Sequence, residues 1–248
     1  MADVLTQGHQ DNRLLAALPQ DAFAAMSREL RQVSLAQGKS LFEPGAPLNE
    51  IYFPQSGMIS LLVVTSDGRA VEISTIGREG AVGLHGALGE RFSFTRAVTQ
   101  IGGRFSTIPA GRFAQFVREH ASVRELIVRY TELLWVEAQQ IAACNAAHDG
   151  EARLCRWLLR TALRTGSDRL PLTQELIAEM LVVRRTTVTL LAQSLQRAGA
   201  IRYSRGHIEI LDREKLKQRA CECYSIIQHE NLSLKTGVKL GNNAQSAD

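Results

Sequence analysis

The chain has 248 residues, 45% of them hydrophobic, with 29 Lys+Arg against 25 Asp+Glu and a formal net charge of +4. That length and apolar content suffice for two small packed domains. No apolar run approaches the roughly 18 residues needed to span a bilayer, and the start of the chain lacks a basic region followed by an apolar core, so a cytoplasmic protein with no membrane partner is expected.

Residues 1–10 are polar. From Asn12 to Gln32, Leu14, Leu15, Leu18, Phe23, Met26 and Leu30 give a short helical pattern broken at Pro19. From Val33 to Ile108 the character changes to β-like runs: Ile51-Tyr52-Phe53, Met58 to Thr65, Ala70 to Ile76, and Phe92 to Ile101. Gly38, Pro44-Gly45, Pro54 to Gly57, Ser66-Asp67-Gly68 and the stretch from Gly77 to Gly89 punctuate them. Asp67-Gly68 between two alternating runs predicts a hairpin. Many short strands at roughly ten-residue spacing predict an antiparallel barrel or roll.

From Phe113 to Ala147 the pattern is helical again. Leu126, Tyr130, Leu133, Leu134, Ile141 and Cys144 repeat at three, four and seven residues, with Glu125, Arg129, Glu132, Glu137 and Gln140 around them. Such a seam on one long helix suits pairing with a second copy; it also suits packing on the chain's own β-domain, and a wide stripe can serve both. Trp135 and Val136 are assigned to this packing. His148-Asp149-Gly150 reads as a hinge with Gly150 supplying freedom, and His148 as an ordinary hydrogen-bonded or solvated side chain. A helix over 153–164 follows, with Leu154, Trp157, Leu158, Ala162 and Leu163 apolar.

The most informative stretch runs from Leu172 to Ile210. Thr173 suits a helix N-cap, and Ile177 and Leu181 share one face of the helix it starts, with Ala178 small enough for a second helix to pack closely. A second helix starts near Arg184 and carries a stripe of Val188, Leu191, Ala192 and Leu195. Its opposite face holds Arg185, Thr186, Thr189, Gln193 and Arg197, types that suit phosphates and base edges in a major groove. Gly199 ends that helix, and Ile201-Arg202-Tyr203 and His207-Ile208-Glu209-Ile210 alternate as strands about Ser204-Arg205-Gly206. Charge supports the same reading. Residues 151–220 hold 14 Lys+Arg against 7 Asp+Glu, and the remainder 15 against 18, as expected of a polyanion-binding module joined to a different one.

Asp212 is expected to cap a basic helix from Arg213 to Tyr224. On one helix Cys221 and Cys223 would be splayed about 200° apart, poor geometry for sharing an ion or forming a disulfide. The remaining cysteines are Cys144 and Cys155, and no C-x-x-C pair exists, so reduced thiols and no metal site are expected. The stretch from Lys235 to Asp248 is polar, and residues 225–248 are expected to form a flexible tail.

The winged helix-turn-helix resembles that of the cyclic-AMP receptor protein and fumarate–nitrate regulator superfamily of bacterial transcription factors. Arg185 matches one of the family's base-reading positions. Two others, where the best-known members carry glutamate and arginine, hold Thr186 and Leu190, so a familiar operator does not follow. Val182 stands where the family has a turn glycine, which predicts a turn closed in a conformation that a β-branched residue allows. Upstream, Pro44-Gly45, Ile51-Tyr52-Phe53, Gly57 and Asp67-Gly68 fall where the family's cyclic-nucleotide-binding β-roll has its counterparts. Its phosphate cassette would span Gly80 to Gly89 and reach Arg96-Ala97. After Gly83, Leu84 replaces the ribose-binding glutamate; Thr95 takes the place of the phosphate arginine, with Arg96 one residue along and facing the other way. Glu79 and Glu90 lie nearby but off the motif.

The expected fold is therefore α+β: a cyclic-nucleotide-binding-like β-roll over 12–115, a dimerisation helix and hinge over 116–149, and a winged helix-turn-helix over 150–224. The expected function is sequence-specific binding of double-stranded DNA by a homodimer at a palindromic operator, with the roll as a sensor or relay that does not use cyclic AMP. DNA contacts are expected from Arg184, Arg185, Thr186, Thr187, Thr189, Gln193, Arg202, Arg205 and His207, and RNA polymerase is a further candidate partner. Two other classes compete. One is a thiol- or metal-based sensor, which the lack of any cysteine before Cys144 disfavours in its iron–sulfur version; the other is a winged-helix module for protein contacts. No nucleophile–base motif, H-E-x-x-H site or Walker loop points to an enzyme or to a bound cofactor.

Overall fold

In the computed structural model, which describes residues 8–89 and 92–227, seven strands form the N-terminal roll. They are β1 (Arg31–Leu35), β2 (Ser40–Phe42), β3 (Glu50–Pro54), β4 (Met58–Val64), β5 (Ala70–Ile76), β6 (Arg96–Ile101) and β7 (Gly103–Pro109). They pair antiparallel in two sheets, ordered β1-β7-β3 and β2-β6-β4-β5. Ile51 sits opposite Ile108, and Leu61 opposite both Ser74 and Ala97. Ile59, Ile76, Ala97 and Phe105 form a cluster drawn from both sheets. The Asp67-Gly68 turn closes the β4–β5 hairpin, with the Gly68 amide donating to the Thr65 carbonyl at 2.9 Å. The strand expected from Phe92 begins only at Arg96. Ser93 Oγ accepts from the Thr95 amide and donates to the Thr95 carbonyl, a local turn that competes with strand pairing.

Two short helices, α1 (Arg13–Ala16) and α2 (Gln20–Ser27), precede the roll. Buried Asn12 caps α1 through Leu15 N, and its amide donates to the carbonyls of Pro54 and Gly80, both at 2.8 Å. All of its groups are thereby satisfied in the interior. Leu15, Met26, Ile51, Phe53 and Ile108 pack in one core with Phe113 and Ile127. The helical pattern that the sequence shows from Phe113 to Ala147 is two helices: α4 (Ala110–Glu119) and α5 (Ala121–Ala147), separated at His120, whose backbone is extended. Between β5 and β6 lies a one-turn helix, α3 (His85–Leu88).

The C-terminal module comprises α6 (Gly150–Thr165), β8 (Arg169–Leu170), α7 (Gln174–Leu181), α8 (Arg185–Arg197), β9 (Ile201–Ser204), β10 (His207–Ile210) and α9 (Arg213–Arg219). Its sheet has the order β8-β10-β9, one strand more than the sequence indicated. The two residues of β8 are too short a run to register as a strand in the sequence. Leu154, Leu158, Ile177, Leu181, Val188, Leu195, Ile201 and Ile208 make the module's core, and Met58, Leu62 and Ile101 of the roll join it. Burying each Leu, Ile or Val there contributes about 1.5–3 kcal/mol.

Three local expectations are corrected. Gly150 is the first residue of α6, not a flexible link; the chain turns on His148 and Asp149, and Asp149 caps α6 by accepting from the Ala152 amide at 2.9 Å. The helix capped by Asp212 stops at Arg219, because Ala220 takes an extended backbone. Cys221 and Cys223 therefore do not share a helix. Residues 225–227, expected to begin a flexible tail, are helical, and the expectation for residues 228–248 lies outside the described residues. Among the described residues, no helix is long and apolar enough to cross a membrane.

Candidate nucleic-acid interface

Thr173 caps α7 by accepting from the Leu176 amide at 3.2 Å, which supports the helix by about 1 kcal/mol. The turn to α8 is closed by Val182 at φ 53° and ψ 48°. This is the left-handed region, not one that suits a β-branched side chain, so the expectation for this turn is overturned. The left-handed residue lets the amides of Val182 and Val183 reach back to the carbonyls of Glu179 and Ala178 and sends the chain into the second helix. Arg184 is the N-cap residue of α8 and makes no side-chain capping bond.

With Val188, Ala192 and Leu195 buried beneath it, α8 presents Arg184, Arg185, Thr186 and Gln193 to solvent, with Thr187 and Thr189 half-buried at the edge. Leu190 stands on the open face, 65% exposed. Arg185 pairs with Glu175 of α7 at 2.8 Å, and Thr189 donates to Gln174 at 3.1 Å. Those two contacts orient the face before any ligand arrives. The wing turn carries Arg205 at φ 48°, exposed, with His207 Nδ1 3.2 Å from the Arg205 carbonyl. Arg202 lies on β9 and pairs with Glu209 across the strands at 2.8 Å. Arg184 and Arg205 make no ion pair among the described residues, so their charges are available at the N-terminus of α8 and the wing tip.

The basic excess of residues 151–220 is only partly on this surface. Arg156, Arg160 and Arg164 are buried on α6. Arg160 and Arg164 pair with buried Glu137 of α5, Arg164 Nη2 at 2.8 Å, and Arg164 Nε pairs with Glu79 at 2.7 Å. Burial pushes the Glu137 carboxyl up, but the two guanidiniums more than offset it and hold it down at about 2. Beside this cluster Trp157 Nε1 donates to Glu72 of β5 at 3.0 Å, and Ser60 and Gln100 donate to the same carboxyl at 2.6 and 3.1 Å. Here burial prevails over those hydrogen bonds and pushes Glu72 up to about 7. Roll, long helix and C-terminal module are thus joined through ionisable groups whose positions along the chain do not announce one another.

The cassette region borders a cavity of about 270 Å³ lined by Leu61, Ile73, Leu84, Phe94, Leu134 and Trp135 among others. Leu84 is buried, and Thr95 faces the cavity without a charge. Arg96 turns to Glu43 at 2.7 Å on the exterior. Among the described residues no arginine and no carboxylate lines this space; Glu90 lies outside them. The glycines answer to packing: a side chain on Gly80 would overlap the Tyr130 hydroxyl, and Gly83, at φ +89°, would bring one 2.7 Å from the Glu50 carbonyl. The space brings His85, Ser93 and Thr95 but, among the described residues, neither the arginine nor the carboxylate that the family's phosphate and ribose contacts use. Trp135, assigned to the packing of the long helix, is 67% exposed within the single chain.

The sequence also separated side chains that the fold brings together. Cys144, His148, Cys221 and Cys223 converge at the far end of α5, in contrast to the poor geometry expected of Cys221 and Cys223. The remaining signal was Cys144 and His148 four residues apart at a helix end, combined with a Cys-x-Cys pair. Cys155 stands apart, its thiol pushed up to about 12 chiefly by burial.

The family model of the cyclic nucleotide-binding domain matches residues 32–120, and that of the Crp-like helix-turn-helix domain matches residues 152–219. A CRP-like cAMP-activated global transcriptional regulator of Mycobacterium tuberculosis is 24% identical over 208 residues, 80% of this chain and 92% of that regulator. FixK2 from Bradyrhizobium japonicum has the same fold, with a TM-score of 0.67 at 15% identity over 77% of this chain and 98% of that one. A CRP-family transcriptional regulator from Thermus thermophilus gives 0.61 at 18% identity, over 76% and 96%.

Proposed function

The chain belongs to the CRP/FNR superfamily of bacterial transcription factors and is a CRP-like transcription regulator with a helix-turn-helix DNA-binding domain, and from this premise we propose that it binds a palindromic operator as a homodimer, competent without cyclic AMP. The observation that carries the reading is the division of α8. Its apolar stripe is fully used in the module's core, so Arg184, Arg185, Thr186 and Gln193 are left facing outward with Arg205 at the wing tip. Arg185, Thr186, Thr189 and Gln193 read base edges; Arg184, Arg202, Arg205 and His207 hold phosphates, with Thr187 at the start of the helix beside them. Two such helices, set about 34 Å apart by paired α5 helices, would span one turn of DNA.

The roll acts as sensor or relay. The mycobacterial relative is cAMP-activated, but the lining here is mostly apolar and, among the described residues, brings His85 and the hydroxyls of Ser93, Thr95 and Thr131 with no arginine or carboxylate, so a mostly apolar effector suits this cavity better than cyclic AMP. Contact with RNA polymerase belongs to the same proposal. The test is site selection from random duplex DNA with purified protein and no added nucleotide. Enrichment of a palindrome with half-sites one turn apart is expected. Enrichment only after adding cyclic AMP would refute independence from the nucleotide, and no enrichment under either condition would refute the reading as a whole.

A further inference from the structure

The C-terminal end of α5, the hinge and the segment behind α9 meet in a cluster for which DNA binding has no use. Cys144 is buried in the last turn of α5, His148 is where the chain turns, and Cys221 and Cys223 follow the break at Ala220. One ligand-capable atom from each of the four lies within 4.8 Å of all the others. Cys144 Sγ and Cys221 Sγ are 3.4 Å apart, and Cys223 Sγ is 3.7 Å from His148 Nδ1. A tetrahedral ion with bonds of about 2.3 Å to sulfur and 2.0 Å to nitrogen separates two sulfurs by about 3.8 Å and a sulfur and a nitrogen by about 3.5 Å. These side chains already stand close to the corners of such a tetrahedron.

Their surroundings follow the same logic. His148 Nε2 is 3.1 Å from Glu222 Oε1, which fixes the proton on that nitrogen and leaves Nδ1 toward the sulfurs. A carboxylate behind the ring is the usual support of a metal-bound histidine. Gln140 Nε2 donates to Cys223 Sγ at 3.0 Å, a bond that favours a thiolate. A disulfide between Cys144 and Cys221 would account for two of the four groups and leave the oriented imidazole and Cys223 without a role.

We propose that Cys144, His148, Cys221 and Cys223 bind a divalent ion of the zinc class in a Cys3His site. Three thiolates and an imidazole select such an ion over magnesium or calcium, which take oxygen ligands. The ion would tie the long helix and hinge to the segment that follows the winged helix, and so fix the module on its pivot. This goes beyond the DNA reading and stands or falls without it.

The test uses the untagged full chain, purified under reducing conditions, loaded with Zn²⁺ or Co²⁺ and desalted. One ion per chain is expected, and the Co²⁺ form should show sulfur-to-metal charge transfer with the intense visible bands of a tetrahedral site. Cys221→Ser with Cys223→Ser should abolish retention, while Cys155→Ser should keep it. Should the double variant fail to fold, Glu222→Gln alters an exposed side chain and leaves all four ligands, so it should weaken affinity by about 10–100-fold. A wild-type chain that retains no ion, Co²⁺ bands without sulfur charge transfer, equal retention by the folded double variant, or unchanged affinity in Glu222→Gln would each overturn the site.

Discussion

Val182 holds φ 53° with its side chain 53% exposed, so the backbone is strained while the side chain contributes little burial. The left-handed region costs an L-residue roughly 1–2 kcal/mol, against about 0.5–1 kcal/mol for the greater freedom glycine has in the unfolded chain. Val182→Gly should therefore raise stability by about 1 kcal/mol, read as a higher urea midpoint; a lower midpoint would mean that packing of the valine outweighs the strain. The residue type pointed to an ordinary turn because local preference is all that a single position displays. The docking of α7 on α8 overrides it. Arg185, proposed to read a base edge, is exposed on α8, and its pairing with Glu175 is new. An exposed pair of this kind is worth about 0–1 kcal/mol, so DNA can displace it. Arg185→Ala should cost about 1–3 kcal/mol of specific binding and relax preference at one base pair, whereas Arg184→Ala should weaken all sequences alike and reduce the salt slope by about 1. Binding titrations at several salt concentrations on selected and scrambled duplexes separate the two, and identical behaviour of both variants would contradict these assignments.

Helix α5 has two apolar faces, and the sequence displayed only one of them clearly. Leu126, Tyr130, Leu133 and Cys144, part of a seam read as suiting a second copy, the chain's own β-domain or both, are buried within the chain itself. What remains outward is Val128 and Trp135, seven residues apart, followed at the same spacing by Ala142. Heptad spacing of this kind is the geometry of helix pairing. The stripe is obscured in the sequence because Arg124, Glu132 and Gln139 interrupt it, while the inward face is richer in leucine. If the dimer forms along this stripe, Trp135 sits near its centre, where aromatic anchors carry most of the binding energy. Trp135→Asp should weaken self-association by at least about 2 kcal/mol, roughly thirtyfold in Kd, and convert dimers to monomers in analytical ultracentrifugation. A variant that remains dimeric at the same concentration would place the interface elsewhere.

The runs of β3, β4 and β5, the helix-turn-helix and the hairpin at Gly68 could be read from periodicity and turn residues because each is a local pattern; the order in which the strands pair could not. Nor could the way the two modules are joined. Arg160 and Arg164 count as positive charge in the sequence, yet they face Glu137 and Glu79 across the pivot, and nothing in their spacing announces those partners. This junction makes stability depend on pH in two opposite windows. Glu137, held at about 2 although burial alone would raise it, contributes stability that is present above its unfolded value of 4.5 and is lost as pH falls toward 2. Glu72, pushed up to about 7 mainly by burial, does the reverse. Between 4.5 and 7 the unfolded chain has released the Glu72 proton and the folded chain keeps it, so folding loses on the order of 3 kcal/mol as pH rises through that range. The groups that face Glu72 are Ser60 and Gln100 from the roll and Trp157 from α6, with the Arg164 charge nearby. Glu72→Gln supplies a neutral amide that can still accept from Trp157, with Ser60 turning its hydroxyl to accept from the new amide and Gln100 turning its own amide oxygen toward it. Denaturant titrations across pH 4–8 should therefore show the wild type declining toward pH 8 relative to Glu72→Gln, while both lose stability alike below pH 4.5, where Glu137 is in control. Parallel curves over the whole range would mean that Glu72 is ionised in the folded protein and that the hydrogen bonds from Ser60, Trp157 and Gln100 outweigh its burial.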